Sequence, residues 1–374
     1  MRVLMTGGGT AGHINPALAI AAKIRQEQPD AEILFVGAKG RMETRLVPAA
    51  GYRIETVAVQ GFQRRLTLKN IGRNVSAAYH AVTAQAASAK ILREFRPDIA
   101  IGTGGYVSGP VLREGAKLGY PTLTHESNAY PGITTKALAR TADRVLLSVE
   151  EAKRYLPPNR PYVVTGNPVR EEILFADRRA AREKLGVGER ICIVSFGGSL
   201  GARRINEAVA QLMAWEQQAG GFYHIHATGR YEKPRFPGLL AEAGVDPAAP
   251  GLDVREYIND MADCLAAADL VISRSGAMTL SELEASGTAS ILIPSPNVAE
   301  NHQYHNAMVL QNHDAAVVVQ EKELTPQLLR ETVQRLTDDP AVLRRLGQNA
   351  QSMAILDANE RIYQEILALL PSGG

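Results

Sequence analysis

Val3-Leu4-Met5-Thr6-Gly7-Gly8-Gly9-Thr10-Ala11-Gly12-His13-Ile14 opens the chain, and Ser195-Phe196-Gly197-Gly198-Ser199-Leu200-Gly201-Ala202-Arg203 repeats its plan near the midpoint. Each reads as the end of a strand, a glycine turn and the start of a helix. Free backbone N–H groups and the positive end of the helix dipole suit such a turn to a diphosphate. Two of them, one per half of the chain, fit a nucleotide donor on one side and a phosphate-bearing acceptor on the other. The plainer alternative is a tight strand-to-helix connection with close packing.

Working outward, short aliphatic runs alternate with longer helical patterns from end to end. Ile33 to Val36, Ile99 to Ile101 and Val145 to Leu147 follow the first run; Ile191 to Phe196, Tyr223 to Ala227, Leu270 to Ile272, Ile291 to Ile293 and Val317 to Val319 carry the rhythm through the second half. Strands separated by helices imply parallel sheets covered on both faces. With 374 residues and about 150 per domain, an α/β chain of two doubly wound domains is predicted. Val164-Thr165-Gly166-Asn167-Pro168-Val169-Arg170 breaks any continuous element and marks the junction. Ligands of such sheets bind beyond the carboxyl ends of the strands, so loops from both domains are expected to share a cleft. Ala358 to Leu370 reads as a last helix, with Ile362, Ile366 and Leu369 at helical spacing, able to pack on either domain.

Composition removes several function classes. The apolar fraction is 45%, and no run approaches the about 18 to 20 apolar residues of a membrane span. The first residues lack a basic segment leading into a secretory apolar stretch, which predicts a cytosolic chain. A net charge of +2 gives no global field for nucleic acid. Cys192 and Cys264 have no paired spacing and read as reduced core residues. The first turn contains G-x-G-x-x-G, but a dinucleotide wants an acid closing the second strand, and that strand ends Phe35-Val36-Gly37-Ala38. No phosphate-binding G-x-x-x-x-G-K-[ST] occurs either.

Other polar clusters also follow strands. Gly102-Thr103-Gly104-Gly105-Tyr106-Val107-Ser108-Gly109-Pro110 offers small residues that let another molecule approach the backbone. His125-Glu126-Ser127-Asn128 brings two titratable groups to a strand end, where His125 reads equally as a buried structural residue. In Ser273-Arg274-Ser275-Gly276-Ala277-Met278-Thr279-Leu280-Ser281-Glu282, one carboxylate can accept from both hydroxyls of a ribose. Glu282 also reads as a solvated acid at a helix start. Asn301-His302-Gln303-Tyr304-His305-Asn306 suits sugar hydroxyls; its histidines lack a third metal ligand at useful spacing.

Together and in this order, these motifs resemble the MurG family, whose pattern T-G-G-G-T-G-G-H is matched at the first turn with Ala11 in place of a glycine. G-G-Y-V-S-G-P, H-E-x-N, G-N-P-V-R, G-G-S-x-G-A and R-S-G-A-x-T-x-S-E are all present, and the resemblance runs to Asp357-Ala358-Asn359-Glu360-Arg361. It implies a GT-B fold: residues 1–163 for the lipid acceptor and membrane, 164–345 for the UDP-sugar, and a segment 346–374 returning to the first domain. It also implies transfer of N-acetylglucosamine from its UDP carrier to the 4-hydroxyl of N-acetylmuramic acid in an undecaprenyl-linked muramyl pentapeptide. By motif position, Ile258 would meet uracil, Glu282 the ribose, and Arg170 and Ser199 the diphosphate. Ala277, Met278, Thr279, Leu280 and Ser281 would line the same pocket, and Thr10, Ala11, Gly12, Asn128 and Gln303 the donor sugar. Gly104, Gly105, Tyr106 and Ser108 are the acceptor candidates. The methyl of Ala11 is expected to alter the turn or narrow the sugar pocket.

The reaction is expected to invert the anomeric centre. His13, an imidazole titrating near neutral pH at the glycine turn, is the first choice of general base, and Glu126 the second. His13 reads alternatively as a helix-start hydrogen-bond donor. Asn259-Asp260 to Asp263 is a capping context rather than a metal motif, so neither an obligatory metal nor another cofactor is expected. Gly61-Phe62-Gln63-Arg64-Arg65-Leu66-Thr67-Leu68-Lys69-Asn70-Ile71, extended by Arg73, Val75 and Tyr79, mixes apolar and basic residues as interfacial segments do. Such a segment also reads as a partly packed loop with a solvated charged edge; the resemblance, whose acceptor lies in a bilayer, implies peripheral attachment to the cytoplasmic membrane face, with cell-wall synthesis enzymes as candidate partners. The competing functions are a diacylglycerol glycosyltransferase, a UDP-N-acetylglucosamine 2-epimerase, and a non-catalytic nucleotide-sugar or lipid-binding module.

Overall fold

The computed structural model describes residues 1–59 and 83–370. It divides the chain into two compact units, Met1–Pro168 with Asp357–Gly374, and Val169–Leu356. The first unit carries strands β1 (Arg2–Thr6), β2 (Glu32–Ala38), β3 (Arg53–Val57), β4 (Ile99–Gly102), β5 (Thr122–Glu126), β6 (Arg144–Leu147) and β7 (Tyr162–Val164), in the spatial order 3-2-1-4-5-6-7. The second carries β8 (Ile191–Phe196), β9 (Phe222–Ala227), β10 (Leu252–Arg255), β11 (Leu270–Ser273), β12 (Ala289–Leu292) and β13 (Val317–Val318), in the order 10-9-8-11-12-13. All pairings among the described residues are parallel.

A parallel sheet buried on both faces needs continuous apolar strands rather than alternating ones. In β1, Val3 and Met5 join one core with Ile14, Ile20 and Ile24 of the helix Ala11–Glu27, while Leu4 points the other way into a core with Leu92 and Val111. In the second unit Ile193, Ile272 and Ile291 pack against Ile205 and Val209 of the helix Arg203–Ala219 and Leu329 of the helix Pro326–Thr337. Cys192 and Cys264 are free and buried, and burial pushes both thiols up to about 12. Among the described residues no helix is long and apolar enough to cross a membrane.

The first boundary falls inside the predicted junction Val164 to Arg170, a few residues past 163, and the second moves. β7 pairs with β6, which keeps the chain in the first unit to Pro168 rather than 163. The expected break at 345/346 falls inside the continuous helix Pro340–Met353, which buries Leu346 with the second unit's core; Gly347 lies so close to Gly287 that a Cβ would stand 2.3 Å from its carbonyl oxygen. The second unit therefore runs to Leu356.

The helix Ala358–Leu367 belongs to the first unit, where Ile362, Tyr363 and Ile366 complete the core around Ile20 and Ile24. Lys23 lies 3.0 Å from Glu360, and Arg144 3.2 Å from Glu365. Ile366 is fully buried, so Ile366→Ala is expected to lower the stability of the first unit by about 2–5 kcal/mol. Urea denaturation checks this; a loss below about 1 kcal/mol would place the helix outside the cooperative core.

Candidate active site

In open parallel sheets, ligands bind beyond the carboxyl ends of the strands where the strand order reverses. The first sheet reverses between β1 and β4, the second between β8 and β11. The turns after these four strands are the glycine and polar motifs of the sequence.

In the first unit the turns after β1 and β4 are packed backbone to backbone. A Cβ on Gly105 would stand 2.2 Å from the Gly8 carbonyl oxygen, and one on Gly104 2.6 Å from His13 Nδ1. Both glycines have positive φ, 103° at Gly104 and 81° at Gly105, so the positions exclude side chains on two counts. His13 stands in the first turn of its helix, with Nδ1 3.1 Å from the Thr103 carbonyl oxygen. The Thr103 hydroxyl in turn donates to the His13 carbonyl at 2.6 Å. A carbonyl oxygen only accepts, so Nδ1 carries the proton and the neutral ring holds its lone pair on Nε2. Thr10 is the N-cap residue, and Thr10 and Gly12 are exposed beside the half-buried Ala11 and His13. Ser108 is buried, its hydroxyl directed at the carbonyls of Gly104 and Thr6; it braces the turn rather than facing a ligand. Tyr106 is the acceptor candidate with an exposed side chain, at 62%.

Glu126, at the end of β5, is buried and takes three N–H groups: Asn128 N and Nδ2 on Oε1, and Gly132 N on Oε2, each at 3.0 Å. Both oxygens of this second-choice base thus hold the following loop, and Asn128 with it. His125 is fully buried, with Nε2 donating to the Gly166 carbonyl at 2.9 Å, and burial lowers its pKa. It holds the end of β5 against the residues after β7.

In the second unit a Cβ on Gly197 would stand 2.4 Å from Ala202 Cβ, and one on Gly229 2.1 Å from Gly201 N. The turn after β8 thereby locks onto the turn after β9, with Arg230 N donating to the Ser199 carbonyl at 3.1 Å. Ser199 is exposed there, just before the helix Arg203–Ala219. Beneath it, Glu216, His224 and Ser195 form an acid–imidazole–hydroxyl chain, with contacts of 2.7 Å and 2.6 Å, and Ser195 reaches His226 at 2.7 Å. Though the order resembles a hydrolase triad, all four residues are buried, and the chain ties β8 and β9 to the helix. Burial, with His224 nearby, pushes the His226 pKa well below its usual value.

The turn after β11 leads into the helix Ala277–Ser286, which presents Ala277, Met278, Thr279, Ser281 and Glu282 half-exposed while Leu280 turns into the core. Arg170 and Glu282 meet: Nε and a terminal guanidinium nitrogen lie 3.1 Å and 3.0 Å from the same oxygen, Oε1. Burial pushes the Glu282 carboxyl up, opposed by Arg170. Ile258 is buried between the exposed Tyr257 and the helix Met261–Ala267. Gln303, in the first turn of the helix His302–Asn312, accepts from Ser295 N at 2.9 Å.

Against known families, residues 3–147 match the glycosyltransferase family 28 N-terminal domain and residues 192–362 the family 28 C-terminal domain. A protein of Acetivibrio thermocellus, named UDP-N-acetylglucosamine--N-acetylmuramyl-(pentapeptide) pyrophosphoryl-undecaprenol N-acetylglucosamine transferase, is 45% identical over 98% of this chain and 97% of its own. The chain belongs to glycosyltransferase family 28, in the MurG family. The crystal structure of Acinetobacter baumannii MurG superposes with a TM-score of 0.78 at 28% identity, covering 98% of this chain and 99% of that one. A UDP-GlcNAc 2-epimerase from Neisseria meningitidis, bound to UDP-GlcNAc, has a TM-score of 0.66 at 12% identity, covering 98% of this chain and 100% of its own, and shares the fold alone. These likenesses support the GT-B architecture and make the chain a glycosyltransferase.

Glu43 went unnoticed in the sequence. It is fully buried and accepts from Gly9 N at 3.0 Å and Ala38 N at 2.9 Å, and a Cβ on Gly8 would stand 2.2 Å from its Oε1. A signal existed in Gly37: two glycines on neighbouring strand ends leave room for one side chain, and Glu43 fills it. Glu43→Ala removes a charged acceptor from two N–H groups and is expected to cost about 2–4 kcal/mol, read by thermal denaturation. Glu43→Gln should recover part of the loss, because one amide oxygen still accepts.

The raised Glu282 pKa has a sign that binding can read. Only the ionised carboxylate accepts from two ribose hydroxyls, so UDP affinity should fall as pH drops through the raised pKa, at higher pH than for an ordinary glutamate. Calorimetric titration of UDP between about pH 8 and about pH 5 checks this. Glu282→Gln should bind more weakly at neutral pH and lose this pH dependence; a wild-type profile as flat as the variant's would contradict the ribose contact.

Proposed function

We propose that this glycosyltransferase moves N-acetylglucosamine from UDP-N-acetylglucosamine to the 4-hydroxyl of N-acetylmuramic acid in undecaprenyl-diphospho-muramyl pentapeptide, the lipid-linked precursor of peptidoglycan, with inversion. The similarity to the Acetivibrio thermocellus transferase supports the substrate pair. One observation carries the chemistry: the Thr103 carbonyl accepts a hydrogen bond from Nδ1–H of His13 and so keeps the basic lone pair on Nε2, at the switch point of the first sheet. As the acceptor oxygen attacks the anomeric carbon, its proton passes to Nε2. The bond from that carbon to the β-phosphate oxygen breaks, and its electron pair leaves with UDP.

Charge builds on the diphosphate, where Arg170 and the turn bearing Ser199 supply positive potential. Arg170 then exchanges its contact with Glu282 for the diphosphate, and Glu282 accepts from the ribose. Ile258 would meet the uracil through its backbone, while Thr10, Ala11, Gly12, Asn128 and Gln303 would surround the sugar. Glu126, with both oxygens committed to its loop, serves better as the brace that sets Asn128 than as the base.

An acceptor held in a bilayer would bring the enzyme to a membrane surface; the proposal places it at the cytoplasmic face, with other cell-wall enzymes as candidate partners. The segment Gly61 to Ile71, with Arg73, Val75 and Tyr79, proposed for that contact lies outside the described residues.

The decisive assay follows labelled N-acetylglucosamine from its UDP donor to a short-chain lipid-linked muramyl pentapeptide. Wild type should transfer it, and His13→Ala should lower kcat by about 10²- to 10⁴-fold with UDP affinity unchanged. Folded wild-type protein that transfers nothing would overturn the function. A variant that keeps kcat within about twofold would remove His13 as base and leave the substrate assignment standing.

A further inference from the structure

Beside the polar run Asn301 to Asn306, the second unit has a recess of about 300 Å³, the low end of ligand-sized cavities. Pro294, Pro296 and Tyr304 give it apolar walls, and Asn301 and Gln320 give it amides. We propose that this recess is a subsite for the peptide of the acceptor, with Arg204 and Lys322 receiving a peptide carboxylate. The proposal rests on the transfer reading above and extends the acceptor's footprint to the second unit.

The charge balance favours an anionic guest. The one acid in the lining, Glu321, is tied to Arg274, which also donates to the Ile293 and Pro294 carbonyls at 3.0 Å and 3.3 Å. Arg204 is steadied at the wall by donating to the Leu324 carbonyl at 3.0 Å. Its nearest carboxylate, Glu207, lies 3.8 Å away and is already bonded to Arg203 and Arg235. Lys322 has Glu323 3.8 Å away, at the edge of ion-pair range, so two loosely held cations stand in the lining against one acid that Arg274 already holds. A guanidinium fork fits a carboxylate, and amide side chains both donate to and accept from a peptide backbone, so a peptide matches the lining better than a bare diphosphate.

Backbone strain marks the same rim. Glu300 and Asn301 stand side by side with φ of 56° and 52°; asparagine tolerates this left-handed conformation, whereas for Glu300 it costs about 1–3 kcal/mol, a strain that gathers at functional sites. The pair turns the chain into the helix that starts at His302. In the first turn of that helix, Gln303 accepts from Ser295 N, between the two wall prolines. The recess thus shares one rigid piece with the residue expected at the donor sugar, and a peptide anchored there would hold the acceptor near that sugar.

The test compares Arg204→Gln/Lys322→Gln with wild type on lipid-linked acceptors with and without the peptide. The double variant should raise KM for the peptide-bearing acceptor about tenfold, with KM for UDP-N-acetylglucosamine unchanged. Removing the peptide should raise the wild-type KM by a similar factor, and the two losses should not add, because each deletes one side of the same contact. Losses that add, a variant equally impaired on both acceptors, or a wild type indifferent to the peptide would overturn the subsite. Wild-type protein that transfers to neither acceptor would instead overturn the transfer reading beneath it.

Discussion

The structure depends first on one steric constraint, the approach of two backbone turns at the switch point of the first sheet. Gly8 and Gly105 face each other at a separation that no Cβ survives, and Glu43 closes the back of the turn by accepting two backbone N–H groups. Only with the turns this close does the Thr103 carbonyl reach the His13 ring and settle which nitrogen holds the proton. The second unit solves the same problem with other means: Gly201 against Gly229, and a buried hydroxyl–imidazole–carboxylate chain beneath. In both, rigid sheet ends position polar groups that would otherwise be mobile loop residues.

Environment sorts the carboxylates into different tasks. Glu43 and Glu126 spend both oxygens on backbone and amide N–H groups, so each works as a fastener. Glu282 meets a single arginine through a single oxygen, and burial disfavours its charge. A carboxylate so placed gains from a ligand that brings hydrogen bonds, which suits it to recognition.

The central strands were legible because a doubly covered parallel sheet writes itself as continuous aliphatic runs, as in Val3-Leu4-Met5 and Ile191 to Phe196. β3, β7 and β10 were not singled out: all three are edge strands, and Arg53-Ile54-Glu55-Thr56-Val57 carries charges because one side faces solvent. The glycine motifs were legible as turns, but not which glycine excludes which neighbour, since Gly8 and Gly105 are remote in the chain. Ser108 and Glu126 were legible as polar and near the site, yet a sequence does not show whether a hydroxyl or carboxylate is turned inward. Glu43 and the recess beside Asn301 depend on contacts between distant segments, which periodicity does not encode. The boundary after 345 failed for a related reason: the helix Pro340–Met353 continues because of what it packs against.

The docking of the last helix onto the first unit bears on how the protein is made. Ile20 and Ile24 leave the ribosome with the whole second unit still to be made before the side chains that cover them, Ile362 and Ile366, are synthesised. The second unit is contiguous and can close as soon as Leu356 is available, whereas the first unit waits with an open apolar groove until Ile366 has been made. Completion of the glycine-turn unit is thereby coupled to synthesis of the whole second unit, and a chain cut short before Ile362 carries an uncovered apolar face.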